Sequence, residues 1–152
     1  MEKALLMTML MACHVGRPPP SSSVFSVGRV VGATAEASLE DGLEKGLSSA
    51  LAQRGALGEG VPVDVSVLSF DRQVSGVGTS GDLVHTGTLT VEFYVRGPMP
   101  RRVVLASQRS WLVSAAVPID AASERAAALA GLTGELSKDA AEWLLYAPEE
   151  SP

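Results

Sequence analysis

The hydrophobic positions of this chain change period several times, and each change marks an element. Val24-Phe25-Ser26-Val27-Gly28-Arg29-Val30-Val31 is rich in β-branched residues and closed by Gly32, which predicts a first strand over 24–31. Leu39, Leu43, Leu47 and Leu51 then recur every four residues with Ala50 beside them, predicting a helix over 35–54 whose leucine row is core packing. Thr34, or Ser38 with Asp41, suits its start, and Glu36, Glu40 and Asp41 complement the positive end of its dipole. Arg54 and Gly55 suit its other end.

Val61, Val63, Val65 and Val67 alternate with other residues, and the pattern continues through Leu68-Ser69-Phe70 with the buried face reversed. A second strand with a bulge near 67–68 is expected. Leu89, Val91, Phe93 and Val95 interleave with Thr88, Thr90, Glu92, Tyr94 and Arg96, the clearest strand pattern in the chain. A fourth strand over 103–113 follows across Gly97-Pro98-Met99-Pro100, whose prolines suit a turn and forbid ladder bonding there. These two strands form an antiparallel hairpin.

After Pro118, with Asp120 as the expected cap, Leu129, Leu132, Leu136, Ala140, Trp143 and Leu144 form one stripe at helical spacing. The helix ends near Leu145. Gly131 and Gly134 interrupt it, each costing about 1 kcal/mol relative to alanine in an exposed helix interior, so a kink or a frayed first half is expected. The order strand, helix, three strands, helix predicts an α+β fold: a two-layer sandwich, a four-stranded mixed sheet with two helices on one face. The face carrying Thr88, Thr90, Glu92 and Tyr94 then meets water or a partner.

Composition narrows the class. The chain has 152 residues, the length of a single domain, and its net charge of -5 argues against nucleic acid, whose phosphates reward a basic face. A single cysteine excludes an internal disulfide framework and a cysteine cluster for zinc.

That cysteine stands in a telling place. Met1, Glu2 and Lys3 precede an apolar run from Ala4 to Leu10, and Leu10-Met11-Ala12-Cys13 follows. The run is too short to span a bilayer. The arrangement resembles a bacterial lipobox, which implies lipidation of Cys13 and cleavage before it. The alternative is an ordinary buried thiol. Against it, His14 to Ser23 includes Pro18-Pro19-Pro20-Ser21-Ser22-Ser23, which suits a tether and not a core element. The organisation read from this is a signal peptide at 1–12, a lipidated cysteine and Pro/Ser tether at 13–23, one α+β domain at 24–146 and an acidic tail at 147–152.

Chemistry is scarce. Gly76-Val77-Gly78-Thr79-Ser80-Gly81 has the spacing of a dinucleotide loop, but a strand follows it where a helix N-terminus would be needed for pyrophosphate. A hairpin loop is expected instead. His14 and His85 are the only histidines, too few and too isolated for a metal site. No nucleophile elbow accompanies His85 with Asp64, Asp71 or Asp82, and the carboxylate pair Glu40 and Asp41 reads as a solvated helix face. Neither an enzyme nor a cofactor is expected. The remaining signal is basic: Arg96, Arg101 and Arg102 flank the hairpin turn, with Arg109 further along. Guanidinium groups favour phosphate and carboxylate, so these arginines are candidates for an anionic glycolipid or an acidic partner, although charges at a hairpin tip also oppose aggregation.

Taken together, the cysteine motif, the leucine-spaced helix ending at Gln53-Arg54-Gly55, the strand from Val65 to Arg72, the strand from Leu89 to Val95, the hairpin, and Lys138-Asp139-Ala140-Ala141 before Leu144-Leu145 resemble the LptE family. The resemblance implies an outer-membrane lipoprotein, anchored by lipid in the periplasmic leaflet. Such a protein acts as plug and assembly partner of the LptD β-barrel in lipopolysaccharide transport and has no catalytic residues. The chain departs from the family pattern after the cysteine, where His14 and Val15 replace the usual glycine and aromatic residue. The alternative function is an auxiliary lipoprotein of another envelope transport, secretion or pilus machine.

Overall fold

The computed structural model describes residues 23–147 apart from Ala33, Ala35 and Ala115. The signal peptide, Cys13, the tether up to Ser22 and the acidic residues after Ala147 lie outside the described residues. The elements are β1 (Phe25–Gly32), α1 (Ala37–Gln53), β2 (Val61–Val77), β3 (Leu83–Val95), β4 (Arg101–Val113) and α2 (Pro118–Tyr146). The sheet order is β1-β2-β3-β4, with β1 parallel to β2 and the other neighbours antiparallel. This is the expected α+β fold, with a crossover helix joining the parallel pair because such a pair cannot be joined by a tight turn.

The alternating strand residues supply one layer of the core. Val63, Val65, Val67, Leu89, Val91, Phe93 and Val95 are buried with Leu39, Leu43, Leu47 and Leu51 of α1 and Leu129, Leu132, Leu136 and Leu144 of α2 in one cluster. The reversal of buried face in β2 comes from the expected irregularity: the β2–β3 register shifts between Val67 and Ser69, leaving Leu68 exposed. A second shift, in β1 between Val27 and Val30, lets the Arg29 N–H donate to Asp64 Oδ1 at 2.8 Å.

The helices run side by side in the same direction, and small residues let them approach. A Cβ on Gly42 would lie 2.8 Å from Thr133 Oγ1, and one on Gly46 would lie 2.6 Å from Ser137 Oγ. Arg125 of α2 pairs with Glu36 at the start of α1.

Several local expectations need correction. β2 runs on past Arg72 to Val77, where a loop is expected from Gly76, because an antiparallel ladder with β3 holds residues whose side chains show no burial pattern. Glu36 is the N-cap of α1 and no side chain bonds there as a cap, although the Glu36 N–H reaches Thr34 Oγ1 at 3.4 Å. Val117 takes the N-cap of α2 and Pro118 its first turn, so Asp120 lies inside the helix, where its charge suits the dipole. α2 is continuous through Gly131 and Gly134. The buried leucine stripe on both sides outweighs their weak propensity, and the Arg109 guanidinium occupies the space a Cβ on Gly131 would need. The end of α1 follows expectation: Gly55 has φ +67°, and Ala56 N–H donates to Leu51 O at 2.9 Å in a Schellman closure.

β1 stops opposite Val67, so from Leu68 onward β2 has no neighbour on that side among the described residues. The β2–β3 hairpin and the end of β4 continue past the helix-covered core as a three-stranded extension. β2 has 17 residues and therefore spans about 55 Å. The end carrying Ser23 and the β3–β4 turn is the base of the sheet, and the β2–β3 turn is its tip.

Candidate functional site: a basic and apolar groove at the base

The β3–β4 turn hangs from the base on a defined set of bonds. Arg96 N–H donates to Pro62 O at 2.9 Å, holding the end of β3 against the start of β2. The Arg96 side chain meets Asp64, Nε to Oδ2 at 2.8 Å, so one carboxylate ties together β1, β2 and the turn. Arg101 and Arg102 are adjacent on a strand and so point to opposite faces. Arg101 turns toward the helices, donating from Nη2 to Leu144 O at 2.7 Å, with its guanidinium carbon 4.9 Å from the Trp143 ring centroid. It thereby caps the negative end of α2 while resting on an aromatic face.

Arg102 turns to the open face. Its nearest carboxylate is Glu92, with Nη1 3.9 Å from Oε2, and its side chain is 74% exposed. Pairs at that distance and exposure hold little energy, so Arg102 stays available to an outside anion.

Between these residues lies a groove of about 1310 Å³, whose apolar side is made by Val24, Phe25, Val61, Met99, Val103 and Trp143 and whose polar side includes the three arginines and Glu59. Ser23 and Val24 also line it, so the chain enters the domain at this groove. The incoming strand is pinned there by Val61 N–H to Val24 O at 3.0 Å and Phe25 N–H to Ala56 O at 2.8 Å. A cationic rim beside an apolar floor suits a ligand with an anionic head and an apolar body.

The structure thus brings Arg96, Arg101 and Arg102 together and sets Arg109 apart. Eight residues along β4 from Arg101 is about 27 Å. There Arg109 lies against Gly131 of α2. Trp143, Phe25 and Met99 went unrecognised as groove residues in the sequence, where Trp143 reads as part of the helix stripe and Met99 as part of a turn. Strand parity alone separates Arg101 from Arg102, and that signal was legible.

Toward the tip, His85 stacks on Trp111 with ring centroids 6.0 Å apart, and its buried Nδ1 has no hydrogen-bond partner among the described residues. Among the described residues, no group of three or more His, Cys, Asp or Glu is placed to hold a metal ion. The glycine-rich motif closes a turn, with Gly78 N–H donating to Asp82 O at 2.7 Å and Gly81 at φ +85°, before β3 begins. A second, smaller groove of about 520 Å³ runs between α1 and α2 past Gly42, Gly46 and Arg125.

Fold and site together define a small α+β sandwich with a groove where its chain enters. No family model and no curated protein matches the sequence. Solved structures do match the fold. A minor lipoprotein from Acinetobacter baumannii superposes with a TM-score of 0.58 at 16% identity, covering 86% of this chain and 97% of the other. A Xanthomonas campestris protein of family model DUF330 gives 0.61 at 13% identity, covering 86% and 87%. Rare lipoprotein B from Shewanella oneidensis gives 0.50 at 14% identity, covering 79% and 89%. The chain therefore has a fold found in bacterial lipoproteins, over nearly the whole length of each.

Proposed function

We propose that this protein is a non-catalytic lipoprotein of the bacterial envelope, anchored through Cys13 in the periplasmic leaflet of the outer membrane. In this reading it serves as plug and assembly partner of an LptD-like β-barrel in lipopolysaccharide transport. The observation that carries the reading is one combination: a lipobox-like cysteine and proline-rich tether in the sequence lead into a fold shared with proteins described as minor lipoprotein and rare lipoprotein B. The α+β domain implied by the LptE resemblance supports it. So does the sheet face opposite the helices, where Leu68, Tyr94, Val104 and Leu112 remain exposed and where a barrel lumen would supply cover. Arg96, Arg101 and Arg102, at the groove, offer cations to the phosphates of lipopolysaccharide.

The test is affinity purification of the tagged full-length protein from gently solubilised membranes of its host. An LptD-like barrel in near-equal amount is the expected result. Recovery of inner-membrane transporter, secretion or pilus subunits instead would move the protein to the second reading, an auxiliary lipoprotein of another envelope machine.

A further inference from the structure

The geometry points to the base of the domain as a docking surface for an anionic bilayer, a role that rests on the lipid-anchor part of the proposed function. Three observations converge there. The groove carries three arginines against one lining carboxylate, Glu59, on a chain whose net charge is -5. Asp64 and Glu92 partner Arg96 and Arg102 from outside the lining, and Arg102, its side chain 74% exposed, keeps its guanidinium toward solvent. The turn between Arg96 and Arg101 is Gly97-Pro98-Met99-Pro100, and it presents Met99 with 60% of its surface exposed. Flanking prolines stiffen that turn, so an apolar side chain is held outward at little further entropic cost. Trp143, beneath Arg101, adds an amphipathic ring of the type enriched at membrane interfaces.

The third observation is where the chain enters. Ser23 and Val24 line the same groove, and residues 14–22 separate them from Cys13. An extended tether of that length reaches about 30 Å. With the anchor in the leaflet, such a tether keeps the base near the surface at an effective concentration on the order of millimolar, so weak docking becomes populated. Each cation near an anionic surface contributes roughly a fivefold preference. Glu149 and Glu150 follow Ala147 in sequence and oppose such a surface, so charge and apolar insertion must act together. On a vesicle that carries no barrel, the base then meets the leaflet while the tip stays in water.

The test uses the full chain, processed in its host and reconstituted into vesicles of phosphatidylcholine alone or with one-third phosphatidylglycerol. Acylation leaves Met99→Cys as the sole free thiol for an environment-sensitive fluorophore, with Val77→Cys as the tip control. With phosphatidylglycerol, the label at 99 is expected to shift blue and to be quenched by nitroxide lipids, while the label at 77 stays in water. Adding Arg102→Gln lowers the docked-to-undocked ratio about fivefold. Arg101 is left in place because it caps α2. Adding Glu149→Gln with Glu150→Gln raises the ratio. A label at 99 as wet as that at 77, or equally shielded with and without phosphatidylglycerol, overturns the docking surface.

The mass of the Cys13 peptide is read from the same sample. An acylated Cys13 with a wet label leaves the anchor standing and removes the docking. An unmodified Cys13 removes the anchor, and flotation of that chain with anionic but not neutral vesicles then decides the docking by itself.

Discussion

The lower and upper halves of the sheet are made from the same strands and obey different rules. Below the bulge at Leu68, β2 alternates between buried and half-buried side chains, with β1 beside it and two helices over one face. Above Ser69 and Phe70 every β2 residue is exposed, and the hairpin persists through its backbone ladder to β3. Burial of side chains holds the base, whereas hydrogen bonds and a few clustered side chains hold the tip. The tip's buried contacts are small in number, notably Trp111 on His85 and Thr86 Oγ1 within 2.8 Å of both Ser75 Oγ and Ser110 Oγ.

If that contrast is right, substitutions should sort by height along the sheet. Phe93→Ala removes a fully buried ring from the core cluster that the sheet shares with both helices and is expected to cost about 3–5 kcal/mol in denaturant unfolding. Gly60→Ala comes next. Its Cβ would run into the Val24 carbonyl, where backbone must move, and a loss of about 1–3 kcal/mol is expected in the same assay. Arg96→Ala breaks the half-exposed pair with Asp64 and should cost at most about 1 kcal/mol, less in high salt. Gly76→Ala, near the tip with open space around it, is expected to change stability by no more than about 0.5 kcal/mol. A Gly76→Ala cost equal to that of Gly60→Ala would break the comparison.

The same division explains how much could be read from the sequence. Where side chains are buried on one face, their period is written in residue type, so the leucine row of α1, the Leu89 to Val95 alternation and even the bulge after Val67 were legible. Above Phe70 nothing selects apolar residues at alternate positions, and Ser75-Gly76-Val77-Gly78 reads as loop although Val77 still pairs with Leu83. The groove was half legible. Arginines near a hairpin turn stand out in an acidic chain, but the partners that define the site, Asp64 and the adjacent Trp143 and Leu144, come from two other places in the sequence. Arg109 shows the converse, since nearness in sequence placed it with a cluster that strand length separates by tens of ångströms.

The parallel pairing of β1 with β2 carries a consequence for the time course of folding. β2, β3 and β4 meet through short turns, the kind of local closure that takes on the order of microseconds. β1 must instead wait for α1 to form and for Val61 to arrive opposite Phe25, 36 positions later by subtraction of those two numbers. A chain delivered N-terminus first therefore shows its strand of entry earliest and buries it last. For that interval Phe25, which ends as a core residue beside the groove, is free to be held by whatever escorts the unfolded chain.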